Sequence, residues 1–190
     1  VWDGGVRDDF TQWTGAPVAD TNAYSTNITM DAPYTANAEY TLAGAQFIVQ
    51  TNAGPDSVRV DGSWYNSPCT LFVSLVSSHE ILVDSLAMFA SDGRYRFIGW
   101  EDGPTVVLRN VIVNAGTTFT ADFVTDYYIT VDANGHGTPS GENWYQDGST
   151  ATIQIDSIAD ADGRERYYFY NWTGSQYSGS DNPATFTVTG

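Results

Sequence analysis

Apolar residues fall in short runs along this chain, each cut by polar residues or turn formers. A run such as Leu71–Val73, carried through Ser74 to Leu75 and Val76, is far below the ~20 residues that span a bilayer as a helix, so the pattern predicts no membrane span. Between the runs stand 18 Gly and 7 Pro, with abundant Thr, Tyr, Asn and Asp. That is the profile of many short strands joined by turns, and the fold class it predicts is all-β.

The pattern also repeats. Arg-x-x-Phe-x-x-Trp occurs as Arg7, Phe10, Trp13, as Arg94, Phe97, Trp100 and as Arg166, Phe169, Trp172. An Asp-Gly pair precedes each copy (Asp3-Gly4, Asp92-Gly93, Asp162-Gly163) and a glycine follows each Trp (Gly15, Gly103, Gly174), which are turn signals around a strand. Phe and Trp three apart face opposite sides of a regular strand, so a bulge is expected between them if both enter one core. The Arg, on the side away from Phe, is expected to clamp an acidic neighbour or stack on a ring.

Longer segments follow the same repeat. Ile28–Tyr40 aligns without a gap to Val111–Phe123, Phe47–Gly54 to Tyr128–Gly135, and Trp64–Val73 to Trp144–Ile153. Together they define a unit of roughly 80 residues with about six short strands, hence tandem small antiparallel β domains of a β-sandwich or β-grasp-like kind. Residues 1–40 read as the C-terminal half of a unit, 41–124 as a complete unit with an insertion near 77–88, and 125–190 as a unit lacking its last strand. In the insertion, Ser78 is placed to cap a short amphipathic helix bearing Leu82, Leu86 and Phe89, and an extra strand fits equally. Phe186–Gly190 takes the place of Ile28–Ala32, so the strand supplied elsewhere by Thr35–Tyr40 and Thr118–Phe123 has no counterpart, and one sheet edge is expected to stand open.

Arg-Tyr-x-Phe-x-Gly-Trp at Arg94–Trp100, its looser form at Arg166–Trp172, the Trp-Tyr turn leading to Gly-Ser-Thr-Ala-Thr at Trp144–Thr152, and the closing strand Phe119–Phe123 carry a resemblance. Over nearly its whole length the chain resembles divergent relatives of the internalin B-repeat, all-β modules found in tandem in bacterial and archaeal cell-surface proteins. The first copy departs from the pattern with Asp8 and Asp9. The resemblance implies a secreted structural, adhesive or spacer role and brings no catalytic residues with it.

Charge narrows the partners. Seven basic residues, all arginine, against 23 acidic ones give a net charge of −16, which disfavours nucleic acid. Without lysine there is no Schiff-base chemistry, phosphate-loop lysine or lysine isopeptide. Hydrophobic residues at 42% and charged ones at 16% can bury a core, unlike a disordered acidic tail. A single Cys69 forms no internal disulfide and occupies the place of Ser149, which suits an ordinary partly buried residue. A start at Val1, with neither Met nor signal peptide, reads as a processed product or a piece of a longer polypeptide.

Chemistry-bearing candidates are few. His79 and His136 fall in different units without a motif partner, and no nucleophile-elbow, zinc-protease, aspartic-protease or dinucleotide motif occurs, so the expectation is no enzyme. Asp160, Asp162 and Glu165 cluster hard oxygen ligands around a turn and are the candidate calcium ligands, although they do not follow the twelve-residue calcium-loop spacing. No other cofactor is expected. Tyr65, Tyr95, Tyr145, Tyr167 and Tyr177 are candidates for stacking on sugars. Asn27 and Asn171 head glycosylation sequons, Asn27 being favoured because Asn171 abuts Trp172. The function expected is a non-enzymatic extracellular structural protein at the cell surface: a filament or pilus-like subunit or a stalk segment assembling through β-strand addition. Its partners are then further copies of itself or neighbouring repeats of the same polypeptide. The alternative is a carbohydrate-binding or adhesion module of a larger secreted protein, with glycans as partners.

Overall fold

The computed structural model describes residues 2–3, 6–160 and 165–190. Its regular structure there consists of strands: β1 (Trp2–Asp3), β2 (Val6–Thr14), β3 (Asn37–Thr51), β4 (Ser57–Val60), β5 (Ser63–Asn66), β6 (Cys69–Val73), β7 (Ser77–Leu82), β8 (Leu86–Met88), β9 (Gly93–Trp100), β10 (Leu108–Val113), β11 (Thr117–Ile129), β12 (Asn143–Gln146), β13 (Thr150–Ile153), β14 (Ile158–Asp160), β15 (Arg166–Tyr168) and β16 (Ala184–Thr187). The chain is all-β, as its composition and turn signals require. Residues 77–88 form β7 and β8, so of the two readings of the insertion the strand is realised and the helix is not. Ser77–Leu82 spans a full ladder with β10, and that pairing satisfies more backbone groups than a single helical turn would.

Contacts divide the chain into two compact units. The first comprises residues 1–51, 56–83 and 108–120. In it β2 pairs with β1 and β3, and β6 pairs with β3. A second sheet runs β10-β7-β4-β5. Alternation decides which side chains enter the core: β4 buries Val58 and Val60, β10 buries Val111 and Val113, and β3 buries Phe47 and Val49. Ile81, Val83 and Cys69 are buried as well, and the Phe47 ring meets His79 of the other sheet at 5.1 Å.

The second unit comprises residues 52–55, 84–107 and 121–190. Here β9 lies between β8 and β11, and β12 pairs with the end of β11. Beyond them β13 pairs with β16 and β14 with β15. Val131, Ile153, Ile155, Trp172 and Ala184 form a buried cluster joined by Ile129, Phe169, Tyr177 and Phe186.

Two ladders share one register. In β2–β3, Phe10 faces Tyr40 and Trp13 faces Ala38; in β9–β11, Phe97 faces Phe123 and Trp100 faces Ala121. Each ladder shifts between its Phe and Trp, leaving Thr11 and Ile98 as the extra residues. The bulge rotates Trp onto the side of Phe, and the rings touch, at 5.5 Å for Phe10–Trp13 and 6.0 Å for Phe97–Trp100. Likewise β14–β15 repeats the register of β8–β9, with Ile158 facing Tyr168 as Leu86 faces Arg96. Other equivalent segments pair differently. Cys69–Val73 joins β3, whereas Thr150–Ile153 joins β16. Burial also moves one alignment by a residue: the counterparts of buried Phe47 and Val49 are Ile129 and Val131, not Tyr128 and Thr130.

Candidate functional site

Each Trp of the repeated motif fastens the loop that follows it. Its main-chain N–H donates to a loop carbonyl, Trp13 to Thr21, Trp100 to Pro104 and Trp172 to Gly179. Its indole N–H donates to a second one, of Ala23, Val106 and Asp181 respectively, at 2.9, 2.9 and 3.1 Å. Trp100 and Trp172 are buried, while Trp13 is half-buried. In the third copy Phe169 packs on Trp172 at 5.1 Å. Two hydrogen bonds and a ring contact commit each Trp to holding its strand and the following loop together.

The arginines clamp. Asp126, 2% exposed, accepts from Arg96 Nε at 2.8 Å and Nη2 at 3.1 Å, and from Arg94 Nε at 3.2 Å. The Arg94 guanidinium also lies 4.2 Å from the centre of the Trp144 ring, a cation–π contact. Burial alone would raise the Asp126 carboxyl, but the hydrogen bonds and charges of Arg96 and Arg94 outweigh it and hold the carboxyl below the usual carboxylate range. The same pairing lifts Arg96. Arg7 pairs with Asp9 at 2.9 Å and lies over Phe72 at 5.8 Å. Arg166 sits on exposed β15.

One cluster escaped the sequence reading. His79 Nε2 lies 2.7 Å from Ser77 Oγ, and its Nδ1 lies 2.7 Å from Asp61 Oδ2, a Ser-His-Asp chain between β7 and the β4–β5 turn. Residues alternating on one strand and a turn 18 positions upstream form no known motif, so only the β7–β4 pairing signals it. Ser77 Oγ also donates to the Ser74 carbonyl, and Glu80 N–H donates to Asp61 Oδ1 at 2.9 Å, so main-chain groups anchor both ends of the chain. Asp61 is drawn upward by burial, but the His79 hydrogen bond, the Glu80 N–H and the His79 charge outweigh this and hold it below the usual carboxylate range. The cluster ties the β4–β5 turn to β7.

Among the calcium candidates, Asp162 lies outside the described residues, as does the Asp160 side chain; Glu165 accepts from the Tyr167 hydroxyl at 3.0 Å. Among the described residues no three His, Cys, Asp or Glu side chains converge. The sugar-stacking tyrosines do not form one platform. Tyr95 packs on Phe89, Tyr167 stacks on His136 at 3.7 Å, Tyr177 stacks on Phe186, and the Tyr145 hydroxyl donates to Gly141. Tyr65 is partly exposed beside Trp64, itself 49% exposed, yet neighbours on a strand face opposite sides. Asn27 and Asn171 are both exposed, so the burial of Trp172 does not extend to its neighbour; Asn171 Nδ2 donates to the Trp172 carbonyl at 3.2 Å. Cys69 is buried, and burial pushes its thiol up.

A cleft of about 600 Å³ lies in the second unit between Tyr127–Asp132 and Trp172–Tyr177. Its polar side chains are largely engaged: the Tyr128 hydroxyl donates to Glu142, the Tyr177 hydroxyl to Asp181, and the Gln176 amide grips both main-chain groups of Thr189. No family profile, curated protein or solved structure matches this chain.

Proposed function

We propose that this chain is a non-enzymatic extracellular structural protein, a subunit of a cell-surface filament or a segment of a stalk, that assembles through β-strand addition. The observation that carries the reading is the continuity of two strands. The sequence repeat turns over near residues 40 and 124, and there β3 runs unbroken from Asn37 to Thr51 and β11 from Thr117 to Ile129. The last strand of one segment is thus the first strand of the next. A joint made of one hydrogen-bonded strand contains no loop to stretch, which suits a chain that carries load along its length. The Trp staples and the Arg94–Asp126–Arg96 clamp support the same reading, because the conspicuous residues are spent on holding strands and loops together. Electron microscopy of the concentrated protein at high salt tests the proposal: threads or short head-to-tail rods are expected, and monodisperse single particles under every condition would overturn self-assembly.

The half-exposed Trp64 favours a second reading, binding of glycans at the β4–β5 edge. Tryptophan fluorescence titrated with a glycan panel checks it; a saturable change abolished by Trp64→Ala is expected on that reading, and no response to any glycan argues against it.

A further inference from the structure

Trp64 is set apart from the other tryptophans whose side chains are described. The indole N–H groups of Trp13, Trp100 and Trp172 are bound to loop carbonyls, and the Trp144 ring is held by Arg94 and Tyr128. Trp64 has no such partner. Among the described residues its N–H donates to nothing and its ring meets no other ring or cation, and about half of it is exposed.

Strand register gives this ring its setting. In the second sheet of the first unit Trp64 faces Arg59, Arg59 faces Leu82 and Leu82 faces Leu108, so a single row crosses β5, β4, β7 and β10. The residues that alternate with the row on β4 and β7, Val58, Val60 and Ile81, are buried, so the row lies on the opposite, outer face of the sheet. Its length is three interstrand spacings, about 14 Å. Beside its middle, on the same face, Glu80 lies opposite Asn110. Arg59 Nη2 donates to Glu80 Oε1 at 3.3 Å. That pair is looser than the Asp126 clamp: Arg59 Nε has no partner, and the second Glu80 carboxylate oxygen accepts nothing among the described residues. The face therefore offers a flat aromatic ring at one end and an exposed aliphatic side chain at the other. Between them stand a planar donor, a carboxylate and an amide with hydrogen bonds to spare.

That combination matches a sugar. A pyranose ring presents an apolar face of C–H bonds to an aromatic ring, and the hydroxyl pairs at its rim suit guanidinium, carboxylate and amide groups. Charge narrows the class. Arg59 and Glu80 are paired and cancel, so the face favours neither cation nor anion, while the chain as a whole, at −16, repels acidic polysaccharides. A protein partner fits less well, because it would strip the Arg59–Glu80 pair of water at the centre of the contact, whereas sugar hydroxyls replace that water bond for bond. Resting on the glycan-binding reading of Trp64, we infer that the outer face of the sheet β10-β7-β4-β5 binds a neutral polysaccharide, with one sugar ring stacked on Trp64 and the glycan running across the strands past the Arg59–Glu80 pair to Leu108. The row is longer than one sugar ring, so the site prefers oligosaccharides to monosaccharides.

Affinity electrophoresis of the full chain through native gels containing xylan, glucomannan, mannan, mixed-linkage β-glucan or soluble starch tests this, with alginate as the acidic control. Retardation by at least one neutral gel and none by alginate is expected. Circular dichroism and melting first establish that each variant folds as the wild type does. Trp64→Ala should weaken binding roughly tenfold or more, and Glu80→Gln and Leu108→Ser about three- to tenfold each. Tyr170→Ala, at an exposed position of the second unit, should leave binding unchanged. If Trp64→Ala abolishes binding while Glu80→Gln and Leu108→Ser bind as the wild type does, the extended face falls, although glycan binding at the β4–β5 edge stands. Retardation by none of the neutral gels overturns both. Equal retardation by alginate, or binding that survives Trp64→Ala undiminished, also overturns the assignment.

Discussion

Replacing Asp126 by Ala removes the acceptor of three hydrogen bonds from two guanidinium groups. Breaking a fully buried ion pair costs about 3–5 kcal/mol. Here the carboxylate is buried, but the Arg94 and Arg96 side chains are 20% and 39% exposed, so water recovers part of their solvation and about 2–3 kcal/mol is the expected loss. For a chain of this size that lowers the melting temperature by roughly 4–12 °C. The pH dependence carries the sharper signature. Because the folded carboxyl is held below its ordinary value, its contribution is fully present above the unfolded carboxyl's range, about pH 4, and is lost as pH falls through the folded value. Calorimetric melts of wild type and Asp126→Ala should therefore differ most at pH 7 and converge below about pH 4. A deficit under about 0.5 kcal/mol at pH 7, or one that persists unchanged into acid, would refute the assignment of Asp126 as the charged centre of the clamp.

Two further outcomes follow from the same structure. Trp100→Phe deletes the indole bond to Val106 and leaves that carbonyl unpaired, so about 1–2 kcal/mol should be lost, together with amide protection of residues 101–106 in hydrogen exchange; Trp13→Phe, at a half-buried position, should cost less than half as much. Cys69, buried and with its thiol pushed up, should resist aromatic disulfide reagents in the native state and react at the rate of unfolding, and prompt labelling at neutral pH would contradict its burial.

Local rules carried far in this sequence because most of its information is local. Alternation and turn residues gave the strands, and the Phe-x-x-Trp spacing demanded a bulge that appears at Thr11 and Ile98. The repeated Arg implied a partner, though not which one: Asp126 stands 32 and 30 positions from Arg94 and Arg96, and only the β9–β11 register brings them together. Pairing of equivalent segments was illegible for a related reason. Equal sequence fixes equal local conformation, but β6 and β13 choose partners according to what else is within reach, and β10 takes β7, a strand with no counterpart among the described residues of the third repeat. The Ser77–His79–Asp61 chain was hidden because its members meet only after β4 and β7 pair. Burial, in turn, reset the alignment of Phe47 from Tyr128 to Ile129, since core packing enforces parity on a strand while a gapless match of similar residues does not.

The sparing use of charge follows from how this protein is held together. Of its few cations, Arg94 and Arg96 converge on one buried carboxylate, and Arg59 pairs with Glu80 within the second sheet of the first unit. These three arginines sit at strand pairings, and the planar Arg94 guanidinium bridges a carboxylate and stacks on a ring at once. Asp9, Asp61 and Glu142 are likewise engaged, by Arg7, His79 and the Tyr128 hydroxyl, and the chain as a whole keeps a net charge of −16. Two copies of so acidic a chain repel one another at a distance, so any association on the proposed structural reading strengthens as salt screens that repulsion.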